Sequence, residues 1–241
     1  MQKQEQIYEG GGKTIYSTED PEILILSHKD ELTSRRGEKK ALIEGRGVIN
    51  NRISAHVFRL LEKNGIRTHF IEEIAPNESA VKKLSPIPLI VRIRNYASKD
   101  VEEKIGIEEG RRFFSPILEF SYQNEELDHP MINGYYVLAM ELASREEIDK
   151  IAAYAFRINQ VLEKYFAEKN MDLIDFKLSF GRDKEKELVL TGEITPDTCR
   201  LWDKETHEKL DKDRFRRDLG NVEDAYREVY KRIIPDGKDG E

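Results

Sequence analysis

Three stretches of the chain place apolar residues at helical spacing. Between about Ile49 and Asn64, the residues Ile49, Ile53, Val57, Leu60 and Leu61 share one face, and Gly65 supplies a stop. The clearest pattern opens at Ser144, which with Glu147 makes a capping box. Ile148, Ile151, Ala155, Ile158, Leu162 and Tyr165 then form the stripe, and the pattern ends near Asn170. A third helix is predicted from about Asn221, carrying Val222, Ala225, Tyr226, Val229, Tyr230 and Ile233. Other segments read as strands. Glu22–Leu26 and Leu89–Ile93 are short, branched and apolar. In Ile174–Phe180 the residues Ile174, Phe176, Leu178 and Phe180 point one way, and Asp175, Lys177 and Ser179 the other. Glu187–Ile194 is the expected partner strand, across a Lys184-Glu185-Lys186 turn. Strands first, with helices interleaved irregularly, predict an α+β fold rather than a doubly wound sheet.

Charge and composition narrow the function classes. The 241 residues hold 40 basic and 47 acidic side chains, a net charge of −7. That balance disfavours a general nucleic-acid or anionic-membrane binder and leaves room for a local basic pocket. Apolar runs such as Ile23–Leu26 are too short to span a bilayer, and the first residues carry no apolar signal core. One cysteine, Cys199, excludes an intramolecular disulfide framework and reads as an inert thiol. These features predict a cytoplasmic protein with no membrane or nucleic-acid partner. Residues 235–241 read as a disordered tail.

Two segments carry candidate chemistry. Tyr8-Glu9-Gly10-Gly11-Gly12-Lys13-Thr14 is a glycine-rich turn ahead of a strand, either a plain hairpin or a loop whose N–H groups and lysine meet phosphate. It lacks Walker A spacing. The second is Thr195-Pro196-Asp197-Thr198-Cys199-Arg200-Leu201-Trp202-Asp203, with Asp211–Asp218 downstream. Dense Arg and Asp there fit either a rigid anion-gripping loop or a surface salt-bridge network. The five histidines have no metal-ligand spacing, and no Ser-His-Asp arrangement is visible.

The order of motifs resembles the SAICAR synthase family over nearly the whole chain. The resemblance runs through Tyr8-Glu9-Gly10, Gly37–Lys40, Gly47–Asn51, Gly65–Phe70, Val91–Asn95, Gly106–Gly110 and Asp175–Leu178. It is most specific at Thr195–Thr206 and Leu210–Arg217. It implies a two-lobed fold related to ATP-grasp enzymes and, N-terminally, to kinases. We expect a β-rich lobe with one helix over residues 1–85 and a larger α+β lobe over 86–234. Members use Mg-ATP to activate the carboxylate of a phosphoribosyl aminoimidazole, which the amine of aspartate then captures as an amide. The set retained for gripping substrate is Lys13, Arg94, Arg200 and Arg216, with Asp197 and Thr198 shaping the loop. Arg94 and Arg200 would face the ribose phosphate or the imidazole carboxylate. Lys177, with Asp175, would sit near the reacting carboxylate.

The chain departs from the family pattern at charged positions. The phosphate loop has Gly11 where a lysine is usual, and Arg36 replaces an acid before Gly37. Lys99 and Asp100 stand where the family has Gly-Ser, which puts a carboxylate in place of a hydroxyl that meets anionic substrate. Gln123 and His129 replace a lysine and an aspartate. Ser179 and Gly192 replace the two acids expected to hold magnesium, which neither a hydroxyl nor a glycine can match in charge. From this we expect no protein-held metal and no certain cofactor, and chemistry diverged from Mg-ATP ligation on a related nucleotide, with Asp100 or His129 as new acid–base groups. Two alternatives stay open. One is a working SAICAR synthase using ATP and magnesium, with Glu193, Asp183 or Asp128 as replacement ligands. The other is a non-catalytic nucleotide-binding protein. A homo-oligomer is compatible with all three.

Overall fold

The structure is a computed structural model, and it describes residues 1–34 and 39–234. The expectations at Arg36 and for the 235–241 tail lie outside the described residues. The chain forms two compact units. The first takes residues 1–84, 194–196 and the segment from Leu210 on; the second takes 85–193 and 197–209. The mixture of antiparallel sheets and helices is the α+β fold expected.

In the first unit, strands β1 (Gln6–Glu9), β2 (Lys13–Ser17), β3 (Ile23–His28), β6 (Phe70–Ala75) and β7 (Glu78–Lys82) form a sheet in the order β1-β2-β3-β7-β6. β4 (Glu31–Ser34) and β5 (Lys39–Leu42) pair as a separate ribbon. Helix α1 (Arg46–Lys63) lies on β3, β6 and β7 and against α6 (Val222–Ile233). Its core face is Ile49, Ile53, Val57, Phe58 and Leu61, one turn longer at the start than its apolar period predicts. The early start has a distant cause. The Asp30 carboxylate accepts hydrogen bonds from the N–H groups of Gly45 (3.1 Å) and Gly47 (2.8 Å), which satisfies first-turn donors. Gly47 is also sterically required, because a Cβ there would lie 2.7 Å from the His28 carbonyl oxygen.

The second unit is built on β9 (Leu89–Tyr96) and β12 (Met171–Arg182), paired antiparallel at the centre of a sheet. β10 (Arg112–Tyr122) and β11 (Met131–Ile132) extend it beyond β9. β13 (Leu188–Thr191), β14 (Cys199–Asp203) and β8 (Ser85–Pro86) all pair with β12. The Lys184–Lys186 turn joins β12 to β13 as predicted, with Lys186 at φ 62°. Helix α4 (Arg145–Glu168) packs on β12 and β9. Its capping box is present, with both Ser144–Glu147 hydrogen bonds. The stripe holds to Leu162 and then takes Phe166 rather than Tyr165, because the next core position falls four residues on. Asn159 of α4 exchanges two 2.9 Å hydrogen bonds with Asn95 of β9, and both side chains are buried. This pair shows that α4 covers the sheet face opposite Arg94. The other face is left to charged residues. Short helices α2 (Lys99–Ile105) and α3 (Gly134–Ala139) complete the unit, while α5 (Asp213–Arg216) belongs to the first.

Candidate functional site

In the second unit, strand register sets three charged residues side by side. Asp175 of β12 lies opposite Arg94 of β9 on one side and opposite Arg200 of β14 on the other. Cross-strand neighbours on one face are close enough for their side chains to pair. Both guanidiniums donate to the same carboxylate oxygen, Arg94 Nη1 at 3.2 Å and Arg200 Nη1 at 2.6 Å from Asp175 Oδ2. Asp175 and Arg94 are almost fully buried. Burial alone would raise the Asp175 carboxyl, but the positive charges of Arg200, Arg92 and Arg94 outweigh it and hold the group below the usual carboxylate range.

Further residues close this ladder. Arg94 Nε donates to Glu119 of β10 at 2.9 Å, and Arg94 Nη1 to Ser98 Oγ at 2.7 Å. Asp100, in the first turn of α2, takes Arg94 Nη2 at 2.8 Å, Arg200 Nη1 at 3.2 Å and the Ser98 hydroxyl at 2.8 Å. Arg92 Nη1 stands 3.7 Å from the same carboxylate. Against the opposing effect of burial, Arg200 and Arg94 hold the Asp100 carboxyl far below its ordinary range. A carboxylate so held binds protons weakly, which suits ion pairing more than proton transfer. Arg92, Ser98 and Glu119 were not singled out from the sequence. Arg92 had a legible signal, since it sits two residues before Arg94 and therefore on the same strand face.

The remaining expected residues fall in separate surroundings. Lys177 shares the face of Asp175, opposite Arg92, and its backbone N–H donates to the Thr198 carbonyl at 2.9 Å. The Thr198 hydroxyl donates to the Glu193 carbonyl at 3.1 Å. Asp197 is half-buried just ahead of it, in the loop that leads into β14. The Cys199 thiol is buried. His129 accepts the Asn124 N–H on Nδ1 at 3.1 Å, within a loop that also holds exposed Gln123 and Asp128. Lys99 pairs with Glu102 at 2.7 Å on α2.

In the first unit, Gly10–Gly12 turn β1 into β2. A Cβ at Gly11 would fall 2.0 Å from Thr33 Oγ1, so Thr33 would have to move to admit one, whereas a Cβ at Gly12 meets only the tip of the Arg46 side chain at 3.0 Å. Lys13 opens β2 directly after the turn. Arg216 pairs with Asp213 at 2.5 Å within α5.

Ser179 and Gly192 face each other across the β12–β13 pair. Ser179 is opposite Thr191, and a Cβ at Gly192 would lie 3.6 Å from that of Ser179. Neither supplies a carboxylate. Asp183 Oδ1 is engaged by the Glu187 N–H at 2.8 Å in the hairpin turn. Among the described residues, no group of three or more His, Cys, Asp or Glu is placed to hold a metal ion. Ser179 and Gly192 by themselves offer a divalent ion no carboxylate. No helix among the described residues is long and apolar enough to cross a membrane.

Comparison with known proteins bears on the whole chain. The family profile described as SAICAR synthetase matches residues 6–233. A protein from Lachnoclostridium phytofermentans, named phosphoribosylaminoimidazole-succinocarboxamide synthase, is 54% identical over 233 residues, which cover 97% of this chain and 99% of that one. The crystal structure of the synthase of that name from Ehrlichia chaffeensis superposes with a TM-score of 0.93 at 42% identity, covering 95% of this chain and 98% of its own. A SAICAR synthetase solved in complex with ADP gives 0.92 at 42% identity, covering 95% and 97%. These findings overturn the expectation of diverged chemistry. That expectation weighed a few charged substitutions above the rest of the chain, whereas end-to-end identity to proteins bearing the synthase name favours the ordinary reaction. The chain belongs to the SAICAR synthetase family and is a ligase of that family.

Proposed function

We propose that the chain is a SAICAR synthase, joining the amine of aspartate to the carboxylate of a phosphoribosyl aminoimidazole carboxylate with conversion of ATP to ADP and phosphate. The observation that carries this reading is the buried Arg94–Asp175–Arg200 ladder with Lys177 on the same sheet face, in a chain so similar end to end to proteins of that name. The relative solved in complex with ADP supports ATP as the nucleotide.

A carboxylate is a poor electrophile, and its acyl phosphate is a good one. The substrate carboxylate oxygen attacks the γ-phosphorus and ADP leaves. The amine of aspartate then attacks the acyl carbon, the C–O bond to phosphate breaks, and the amine loses a proton. The chain's part is to position the reactants and offset their charge. Arg94 and Arg200 bind an anionic end of the imidazole nucleotide, and Asp175 fixes both guanidiniums so that they are oriented before binding. Lys177 lies toward the reacting carboxylate. Lys13 and the turn before it meet the nucleotide phosphates, with Arg216, Asp197 and Thr198 as further substrate contacts. No step is assigned to a metal held at Ser179 and Gly192; ATP enters as its magnesium complex, a substrate.

The test is turnover. Purified protein is given Mg-ATP, the carboxylated imidazole ribonucleotide and aspartate, and both ADP and the succinocarboxamide product are followed. Stoichiometric appearance of the two supports the reading. ADP release without the amide, or neither product, rejects it.

A further inference from the structure

The arginine cluster is already electrically complete. Arg92, Arg94 and Arg200 contribute three positive charges, and Asp175, Glu119 and Asp100 contribute three negative ones. Arg94 has its donors directed at Glu119, Ser98, Asp175 and Asp100. An incoming anion meets a site of no net charge in which Arg94 is already bonded through all three nitrogens. One member must leave before that anion can gain much.

The three carboxylates differ in how easily they can leave. The side chain of Asp175 is 3% exposed and touches two guanidiniums, so moving it would strand buried charge. Glu119 is 17% exposed and sits mid-strand in the sheet. Asp100 is 27% exposed, the most open of the six, and it hangs from α2, a seven-residue helix with a single buried residue, Val101. Rotating it outward returns its charge to water and leaves a net positive cluster, with Arg94 Nη2 released and Arg200 Nη1 still on Asp175.

We propose that Asp100 is a resident counter-ion that seals the Arg92–Arg94–Arg200 cluster, and that an anionic group of the substrate, phosphate or carboxylate, binds by displacing it. Asp100 thus sets substrate affinity without touching the reacting atoms. The identity of the anion rests on the synthase reading; the displacement does not. If the open form is about one molecule in ten, apparent affinity is lowered about tenfold relative to a chain that cannot close.

Calorimetry on the full chain tests this with two probe ligands, ribose 5-phosphate and imidazole-4-carboxylate, neither of which requires turnover. Asp100→Asn and Asp100→Ala are expected to bind one of them about tenfold more tightly than the parent, and the probe that responds identifies the displaced-for anion. Glu103→Gln removes an equal charge from the exposed side of the same helix and is expected to change nothing. Unchanged or weaker binding of both probes in the Asp100 variants, or an equal gain in Glu103→Gln, overturns the proposal. Should both Asp100 variants fail to fold, hydrogen exchange on the unaltered chain decides. Residues 98–105 should exchange several-fold faster when saturated with the responding probe, because the tether from Asp100 to the sheet is released; equal or slower exchange overturns the proposal. Failure of the synthase reading appears separately, as absence of amide product in the turnover assay with probe binding intact.

Discussion

Asp175 is the residue on which the charged face of the second unit depends. Asp175→Asn keeps its shape and removes its charge, leaving the three guanidiniums of Arg92, Arg94 and Arg200 to two carboxylates, Glu119 and Asp100. Breaking a buried pair from one side costs about 3–5 kcal/mol, so the variant's urea midpoint should fall well below that of the parent. The sign of the pH effect follows from the depressed carboxyls. Asp175 and Asp100 bind protons more weakly folded than unfolded. Their stabilisation is therefore present in full above the unfolded carboxylate value of about 3.9 and is lost as pH falls below it. Stability measured from pH 6 downward should decline more steeply in the parent than in Asp175→Asn. Arg94, Asp175 and Arg200 could each be picked out from their motifs. Their pairing could not, since 81 and 25 residues separate the partners and only strand register brings them together. The contact of Asp100 with Arg200 was hidden for the same reason.

At the scale of elements, α4 is where local sequence and structure agree most fully. Ser144 caps it, Glu147 closes the box, and Arg182 of β12 grips the Glu147 carboxylate at 2.5 and 3.0 Å. The Arg182 contact and the Ser144 N–H bring that carboxyl down to about 2. Ser144→Ala should cost about 1 kcal/mol, seen as a fall of about 2–4 °C in melting temperature. Glu147→Gln should cost at least as much at neutral pH. Its deficit should shrink as pH falls from about 4.5 toward 2, because the parent loses the same ion pair by protonation. β10 was not legible for an equally local reason. Pro116 interrupts it, the register against β9 shifts between Arg112 and Ile117, and Phe114 points to solvent, so no alternation survives to be read. The β12–β13 pair offers a test of the divalent-ion argument. Ser179→Glu with Gly192→Asp puts two carboxylates where the backbone already places the positions in contact; aspartate is among the residues that best tolerate the φ of 83° at 192. The double variant should be stabilised by manganese chloride, by about 2.7 kcal/mol at a hundredfold excess over its dissociation constant, with no matching rise in the parent's melting temperature.

Across the whole molecule, chain order and unit membership part company. The first unit closes only after the chain has left it at Leu84, returned briefly at 194–196, and come back from Leu210. What the returning segment brings is α6, whose Tyr226, Val229 and Ile233 are fully buried and which packs on α1. Its period and its start near Asn221 were legible; that its partner is a helix more than a hundred residues upstream was not, because an apolar stripe states how much must be covered and not by what. Burial of three such side chains is worth about 1.5–3 kcal/mol each, together a large part of the about 5–15 kcal/mol that holds a typical domain folded. A chain ending at Lys209 should therefore leave α1 without its cover. Hydrogen exchange should show residues 46–63 losing most of their protection in that truncated chain. Tyr226→Ala in the full chain should produce a milder form of the same defect, about 3–5 kcal/mol by chemical denaturation. Retained protection of α1 after truncation would mean that the sheet alone secures the helix and that α6 only shields an already stable core.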